Sequence, residues 1–305
     1  MRKQLTFSFI IPIYNEQKKI GLLLDSLIKA SVNYTKEILV VDSGSTDKTI
    51  SIIQKCQKKY SFIKLKKIRK EEFHRSRTRN EAIKETSGKF ICFCTGHAIP
   101  IDLSFPQYFL DGFKLNDKVV AVFGEDITYD NAPIVERIES ICKMKRLSRH
   151  CTKQGILVQD IKHPFIPFTE ENKYIWYFLS NIFICYRRDF LQKYPFPEAN
   201  YGEDVLLGKM IIDNGYVKIY DRRCGFIHYH EYNFSAYVER QKDEFNLKYN
   251  KFHFKEKVNI RCKIIEIFKL KISLFKKIYY VNKLFFYYCI KILIMMRLAL
   301  DQKNV

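Results

Sequence analysis

The chain has 305 residues, with 47% hydrophobic and 28% charged residues, near the globular average, which excludes a disordered polymer. Its 11 glycines and 8 prolines exclude collagen-like and linker-rich architectures. The 53 Lys and Arg against 33 Asp and Glu leave a net charge of +20, an excess that points to a polyanion such as nucleic acid, anionic lipid or a phosphorylated substrate.

The first hundred residues alternate strand and helix patterns. Residues 5–13 read as a buried strand, and Ile20, Leu23, Leu24, Leu27 and Ile28 follow at helical spacing. No signal peptide is expected, because Asn15, Glu16, Lys18 and Lys19 follow the short apolar run at once. Residues 37–44 form the second predicted strand, with Ser45 or Thr46 placed to cap the next helix. A strand over 62–68, a helix over 76–86 and a strand over 89–95 complete the series. Such alternation predicts an α/β fold, a mostly parallel sheet with helices on both faces. Ligands of these sheets bind beyond the carboxyl ends of the strands. The polar residues to weigh are therefore 14–16, 42–45 and 95–97.

Further along, helices are expected over 101–116 and 134–148 with a strand over 119–127 between them. Residues 150–172 lack any period and read as a loop able to cover a site. A strand over 180–188, a helix over 202–215 stopping at Gly215 and further strand over 216–230 come next. Residues 234–252 read as an amphipathic helix. The pattern divides the chain into a main domain over 1–245 and a helical tail over 246–305. Residues 251–305 carry 13 basic and 3 acidic side chains, half of the net charge. Ile264, Ile267, Phe268, Phe275, Ile278 and Tyr279 share a helical stripe there, and Lys269, Lys276 and Lys283 recur every seventh residue. A basic amphipathic helix rich in Phe and Tyr suits an anionic membrane surface, the alternative being a helix packed on the main domain. No uncharged apolar window reaches spanning length, the longest candidate, 284–300, being interrupted by Lys291 and Arg297. The nine cysteines include no CxxC pair, a pattern of reduced thiols in a cytoplasmic protein.

Dinucleotide and P-loop fingerprints are absent from the sequence. Asp42 at a strand end has the chemistry to accept a hydrogen bond from a base or ribose, or from its own backbone in a turn. Arg79 has the fork geometry for phosphate. Glu203 and Asp204 offer a general base, or simply an acidic helix start. His228 and His230, two apart on a strand, share a face.

In order, FIIPIYNE (9–16), ILVVDSGSTDKT (38–49), RTRNEA (77–82), TGHAIP (95–100), GEDVLLG (202–208) and IHYHEYN (227–233) resemble the inverting family 2 glycosyltransferases of GT-A fold, in particular the rhamnosyltransferase-like enzymes of bacterial surface polysaccharide synthesis. The resemblance spans about residues 5–245. It implies a Rossmann-like GT-A domain that transfers a sugar from a nucleoside diphosphate sugar to a glycan or glycolipid acceptor, without nucleic acid, at the inner face of the cytoplasmic membrane. In that resemblance Pro12, Tyr14, Glu16, Asp42, Arg79, Gly96 and His97 bind the donor, Asp204 is the base and Glu203 orients the acceptor or loop. One departure stands out. The family's metal-holding Asp is here His97, which implies a divalent cation, Mn²⁺ more readily than Mg²⁺, held by His97, His228 and His230, or else transfer without metal. The competing expectation is a degenerate GT-A domain kept for binding or assembly.

Overall fold

The computed structural model describes residues 6–31, 34–129, 132–228, 234–253 and 260–301. In chain order these form β1 (Phe7–Ile13), α1 (Ile20–Ser31), β2 (Thr35–Asp42), α2 (Thr49–Lys59), β3 (Ile63–Lys67), α3 (Arg75–Lys84), β4 (Phe90–Cys94), β5 (Ile99–Pro100), α4 (Phe105–Lys114), β6 (Val119–Phe123), β7 (Asp126–Ile127) and α5 (Ile134–Ser148). Then follow β8 (Ile156–Gln159), α6 (Lys173–Tyr177), β9 (Phe183–Arg187), α7 (Arg188–Lys193), α8 (Glu203–Asp213), β10 (Val217–Asp221), β11 (Phe226–Ile227), α9 (Phe234–Phe245), α10 (Ile260–Lys269) and α11 (Leu274–Asp301). Two compact units result, one drawn from Met1–Asp126, Leu147–Phe168 and Asn172–His228, the other from Ile127–Arg146, Thr169–Glu171 and Tyr229–Val305. The division places α9 with the tail helices, whereas the sequence pattern assigned residues up to 245 to the main domain.

The first unit is built on an eight-stranded sheet of order β3-β2-β1-β4-β9-β6-β10-β8. Its first four strands are parallel, with Ile13 level with Asp42 and Ile10 level with Phe93. Their carboxyl ends therefore share one edge. Strands β4 and β6 are buried along their whole length, and β1 everywhere but at Pro12, as continuous Val/Ile/Phe runs require when both faces are covered. Helix α1 turns Ile20, Leu23, Leu24, Leu27 and Ile28 onto this sheet, each burial stabilising the fold by about 1.5–3 kcal/mol. Strand β9 runs antiparallel between β4 and β6 and sets Phe183 beside Cys94. The residues that enter β9 thus arrive at the edge where β4 ends. A small sheet of order β5-β11-β7 lies beyond that edge in the chain order.

Several boundaries differ from expectation for identifiable reasons. The strand expected over 119–127 breaks at Gly124, where an added Cβ would lie 1.7 Å from the Cys224 carbonyl oxygen. Residues 216–230 likewise divide, around a short turn at Arg222–Cys224, into β10 and β11. Within the presumed loop 150–172, Ile156–Gln159 forms an edge strand against β10. Four residues are too few to show a period, and this strand is held by a partner distant in sequence. Helix α2 starts at Thr49, whose N–H is taken by Asp47 Oδ1 at 2.9 Å, so neither Ser45 nor Thr46 caps it.

In the second unit, Ile134, Val135, Ile138, Cys142, Ile267, Leu284 and Tyr288 form one apolar cluster joining α5, α10 and α11. Tyr237 of α9 meets Tyr287 of α11 edge-on at 4.7 Å. The stripe expected to run through 264–279 is interrupted between α10 and α11, and Ile267 is buried while Phe275 is 81% exposed. By length and composition, Leu274–Leu298 of α11 is a 25-residue segment able to cross a membrane. The expectation that no window qualifies treated Lys291 and Arg297 as interruptions, but long basic side chains carry their charge away from the apolar surface they cover.

Candidate active site

The loops after β1 and β2 are laced together. Asn15 adopts a left-handed backbone, φ 54°, which Asn tolerates better than most residues. Its N–H donates to Ser45 Oγ at 2.8 Å, and its Oδ1 accepts from the Thr46 N–H at 2.8 Å. The Glu16 N–H donates to Thr49 Oγ1 at 2.7 Å. Asp42, at the end of β2, is buried and accepts the Gly44 and Ser45 N–H groups on Oδ2, each at 3.1 Å. This is the turn-forming role that its position allowed. Asp42 also lines a cleft of about 440 Å³ with Gly44, Ser45, Lys67, Arg69 and Glu72, a volume in the range of small-ligand sites. Pro12 is half-buried in β1, and Tyr14 is exposed, with Lys70 Nζ 5.0 Å above its ring.

Beyond β4, His97 Nδ1 and Glu16 Oε1 lie 2.6 Å apart. Gly96 makes this possible, because a Cβ there would sit 2.7 Å from Glu16 Cγ and 2.8 Å from Ile13 Cγ2. The β5–β11 pairing sets Ile99 opposite Ile227 and so carries His228 back to His97. The two imidazoles stack at 4.8 Å with an interplanar angle of 12°. Asp126, which opens β7, stands 3.6 Å from His228 Nδ1.

The third cluster surrounds the start of α8. Gly202 precedes the helix with φ 73°, a conformation that costs glycine nothing. Glu203 and Asp204 then fall in the first turn, where the helix dipole favours carboxylates. Glu203 is buried and pairs through Oε1 with Arg79 Nη1 at 3.0 Å. The same nitrogen donates to the Arg75 carbonyl at 2.9 Å. The Asn181 backbone N–H approaches Asp204 Oδ2 at 3.4 Å, and its Nδ2 approaches Glu203 Oε1 at 3.3 Å. Tyr186 holds that amide by donating to Asn181 Oδ1 at 2.8 Å. Asp204 keeps part of its surface open although protein packs densely around it. That burial, and then the neighbouring Glu203 charge, push its carboxyl up to about 6, against the pull of the Val205 and Asn181 N–H groups and of Arg79. A carboxylate that titrates near neutrality is suited to take and release a proton.

Arg79, expected near the base and diphosphate, is buried with its guanidinium paired to Glu203, and it does not line the cleft at Asp42. Its place on α3 turns it inward, while Arg75 and Arg77 of the same helix are exposed. Of the expected cation set, His97 and His228 meet, and His230, the third expected ligand, lies outside the described residues; among those, no group of three His, Cys, Asp or Glu side chains is arranged to hold a metal. Three residues escaped the sequence reading: Asn181, Tyr186 and Asp126. Asn181 precedes β9 in an otherwise apolar run, and only the antiparallel insertion of that strand brings it to α8.

With this geometry in place, the comparisons decide the family. The sequence profile described as Glycosyl transferase family 2 matches residues 8–188. The chain belongs to glycosyltransferase family 2. Among its relatives, a poly-beta-1,6-N-acetyl-D-glucosamine synthase of Staphylococcus epidermidis is 31% identical over 137 residues, covering 44% of this chain and 32% of that protein. A poly(ribitol-phosphate) beta-N-acetylglucosaminyltransferase, TarS of Staphylococcus aureus, is 38% identical over 88 residues, covering 28% of this chain and 15% of the relative. The matches thus span about a third or less of these relatives' own length. Among solved structures, S. aureus TarS in complex with UDP-GlcNAc superposes with a TM-score of 0.55 at 19% identity, over 92% of this chain and 71% of that one. The mannosyltransferase PcManGT of Pyrobaculum calidifontis, solved with GDP-Man and Mn²⁺, gives 0.56 at 15% identity, over 87% and 68%. These similarities establish the GT-A fold of the family 2 domain.

Proposed function

We propose that this family 2 chain is an inverting glycosyltransferase. It moves a sugar from a nucleoside diphosphate sugar to a hydroxyl of a glycan or lipid-linked glycan. The observation that carries the reading is the carboxylate pair opening α8, in which Asp204 is held near neutral titration beside a Glu203 neutralised by Arg79. Asp204 takes the proton of the acceptor hydroxyl as its oxygen attacks the anomeric carbon. The bond to the diphosphate breaks on the opposite face, and the configuration inverts. The products are a glycoside, a nucleoside diphosphate and a proton on Asp204. The buried Glu203 Oε2, without a hydrogen-bond partner among the described residues, fits a second acceptor hydroxyl. The cleft at Asp42 receives the nucleoside, whose base or ribose competes with the Gly44 and Ser45 amides for the carboxylate. Nucleotide sugars place the reaction in the cytoplasm, and all nine cysteines are free thiols, in keeping with that compartment.

UDP-GlcNAc is the first probe, since it is the ligand of a structural neighbour. A panel of nucleotide sugars is added to the full chain, and Tm and nucleotide diphosphate release are measured. One donor should stabilise the fold by roughly 2.7 kcal/mol at 100 times its Kd and be turned over when acceptor is present. Stabilisation without release under any acceptor would favour a binding protein; no stabilisation by any nucleotide sugar would reject the reading.

A further inference from the structure

Helix α11 has two apolar faces, and among the described residues only one of them is covered. Leu284 and Tyr288 are 1% and 8% exposed and seat in the cluster with Ile138 and Ile267. Turned away from them are Phe275, Ile278, Phe285, Phe286, Leu293 and Met296, each 45% to 81% exposed. At 3.6 residues per turn these six fall within an arc of about 100°. Cys289, also exposed, lies inside the same arc. Scattered exposed apolar residues are normal on any protein, whereas a continuous band of them marks an interaction surface.

The charges identify what covers the band. Between Leu274 and Leu298 the helix carries Lys276, Lys277, Lys283, Lys291 and Arg297 and no acidic residue. Lys276, Lys283 and Arg297 fall along one border of the apolar arc. An apolar band rich in Phe, bordered by cations, complements the headgroup layer of an anionic bilayer. Its length alone also permits spanning, but its packing does not. The covered face is bound to α5 and α10, which carry the ion pairs Lys263–Glu139 at 2.8 Å and Lys145–Glu266 at 2.5 Å. Lys263 Nζ lies 4.8 Å over the Tyr288 ring, at the middle of α11. A spanning α11 would draw these ion pairs toward the hydrocarbon centre, where charge is costly.

We infer that α11 lies in the plane of an anionic membrane surface, with Phe275, Phe286 and Leu293 submerged and α5 and α10 on the aqueous side. The inference does not depend on the transfer chemistry. It would hold a catalytic unit at the surface where lipid-linked acceptors reside.

The full chain is tested for co-sedimentation with phosphatidylcholine vesicles, with and without phosphatidylglycerol. Binding should require phosphatidylglycerol and fall as salt shortens the screening length from about 10 Å to about 3 Å. The variant carrying Phe275→Ser, Phe286→Ser and Leu293→Ser should bind at least about tenfold more weakly. Its circular dichroism and Tm should match the parent, because all three side chains are exposed. A dye on Cys289 should blue-shift with vesicles, and alkaline carbonate should strip the chain from them. Equal binding by parent and variant, or no binding by the parent, would overturn the proposal. Retention through carbonate would overturn the in-plane placement. A parent that self-associates without vesicles, and loses this in the variant, would show that a second copy covers the band instead.

Discussion

Replacing Asp204 by Asn should disable the protein and stabilise it at once. The Asp204 carboxyl titrates at about 6 instead of its ordinary 3.8, a difference equivalent to roughly 3 kcal/mol. A raised carboxyl binds its proton more tightly in the folded chain. Folding therefore gains most from this group below pH 3.8, and loses that gain as pH rises through about 6. At pH 7 the charged form is a burden that Asn removes. Asn keeps one acceptor oxygen for two N–H groups, which costs about 1 kcal/mol. The net gain is roughly 2 kcal/mol, a rise of a few degrees in Tm for a chain of this size. Transfer should fall by about 10²–10⁴-fold with the loss of a general base. Donor affinity should be nearly unchanged, because the carboxylate acts on the acceptor. The assay pairs thermal melts of parent and variant between pH 4 and 8 with turnover at pH 7. The Tm advantage of the variant should vanish toward pH 4. Full turnover by the variant would refute the assignment of the base, and a lower Tm at pH 7 would refute the electrostatic account.

Three further outcomes follow from the same contacts. The parent's turnover should fall to about a tenth between pH 7 and pH 5, as Asp204 protonates; Arg79→Met should move that acid limb upward by leaving Glu203 uncompensated, and adding Glu203→Gln should bring it back, whereas a limb that never moves would show no coupling between Arg79 and Asp204. Gly96→Ala should displace Glu16 from His97, costing about 1–3 kcal/mol in a melt and weakening donor binding in a calorimetric titration; an unchanged donor affinity would detach this contact from the donor site. Exhaustive chelation should abolish turnover and Mn²⁺ should restore it, the stacked His97 and His228 offering nitrogen ligands that Mn²⁺ accepts more readily than Mg²⁺; undiminished turnover would show that transfer proceeds without a cation.

Much of this was legible in the sequence because the first hundred residues obey local rules. Apolar runs such as FIIPI and EILVV form buried parallel strands, and the positions just after them become the loops at the sheet edge. The acidic pair at 203–204 was legible for the same reason, as it opens a helix behind a glycine. The helix carrying Arg79 was legible, but its pairing with Glu203 was not, because that partner lies more than a hundred residues away in sequence. Asn181 and Tyr186 were invisible because nothing local distinguishes them from strand residues; their role arises from β9 entering the sheet antiparallel. The break at Gly124 depends on the Cys224 carbonyl, a hundred residues away.

The position of β9 also has a consequence for how the chain comes to be folded. As the polypeptide leaves the ribosome, β1 to β4 can pair with one another using only residues already made. Strand β6 cannot join them, because β9 must stand between it and β4 and is made some sixty residues later. Until then the open edge of β4, five residues that end fully buried, is a template for any passing strand. Chains interrupted between residues 124 and 182 should therefore aggregate, and those extended past Arg187 should not. The arrival of β9 closes that edge and, in the same event, delivers Asn181 to the place where Glu203 and Asp204 will meet it. Joining of the two halves of the sheet and positioning of Asn181 for the acidic site are thus one late step in the life of the nascent chain, with β10 and the start of α8 following it.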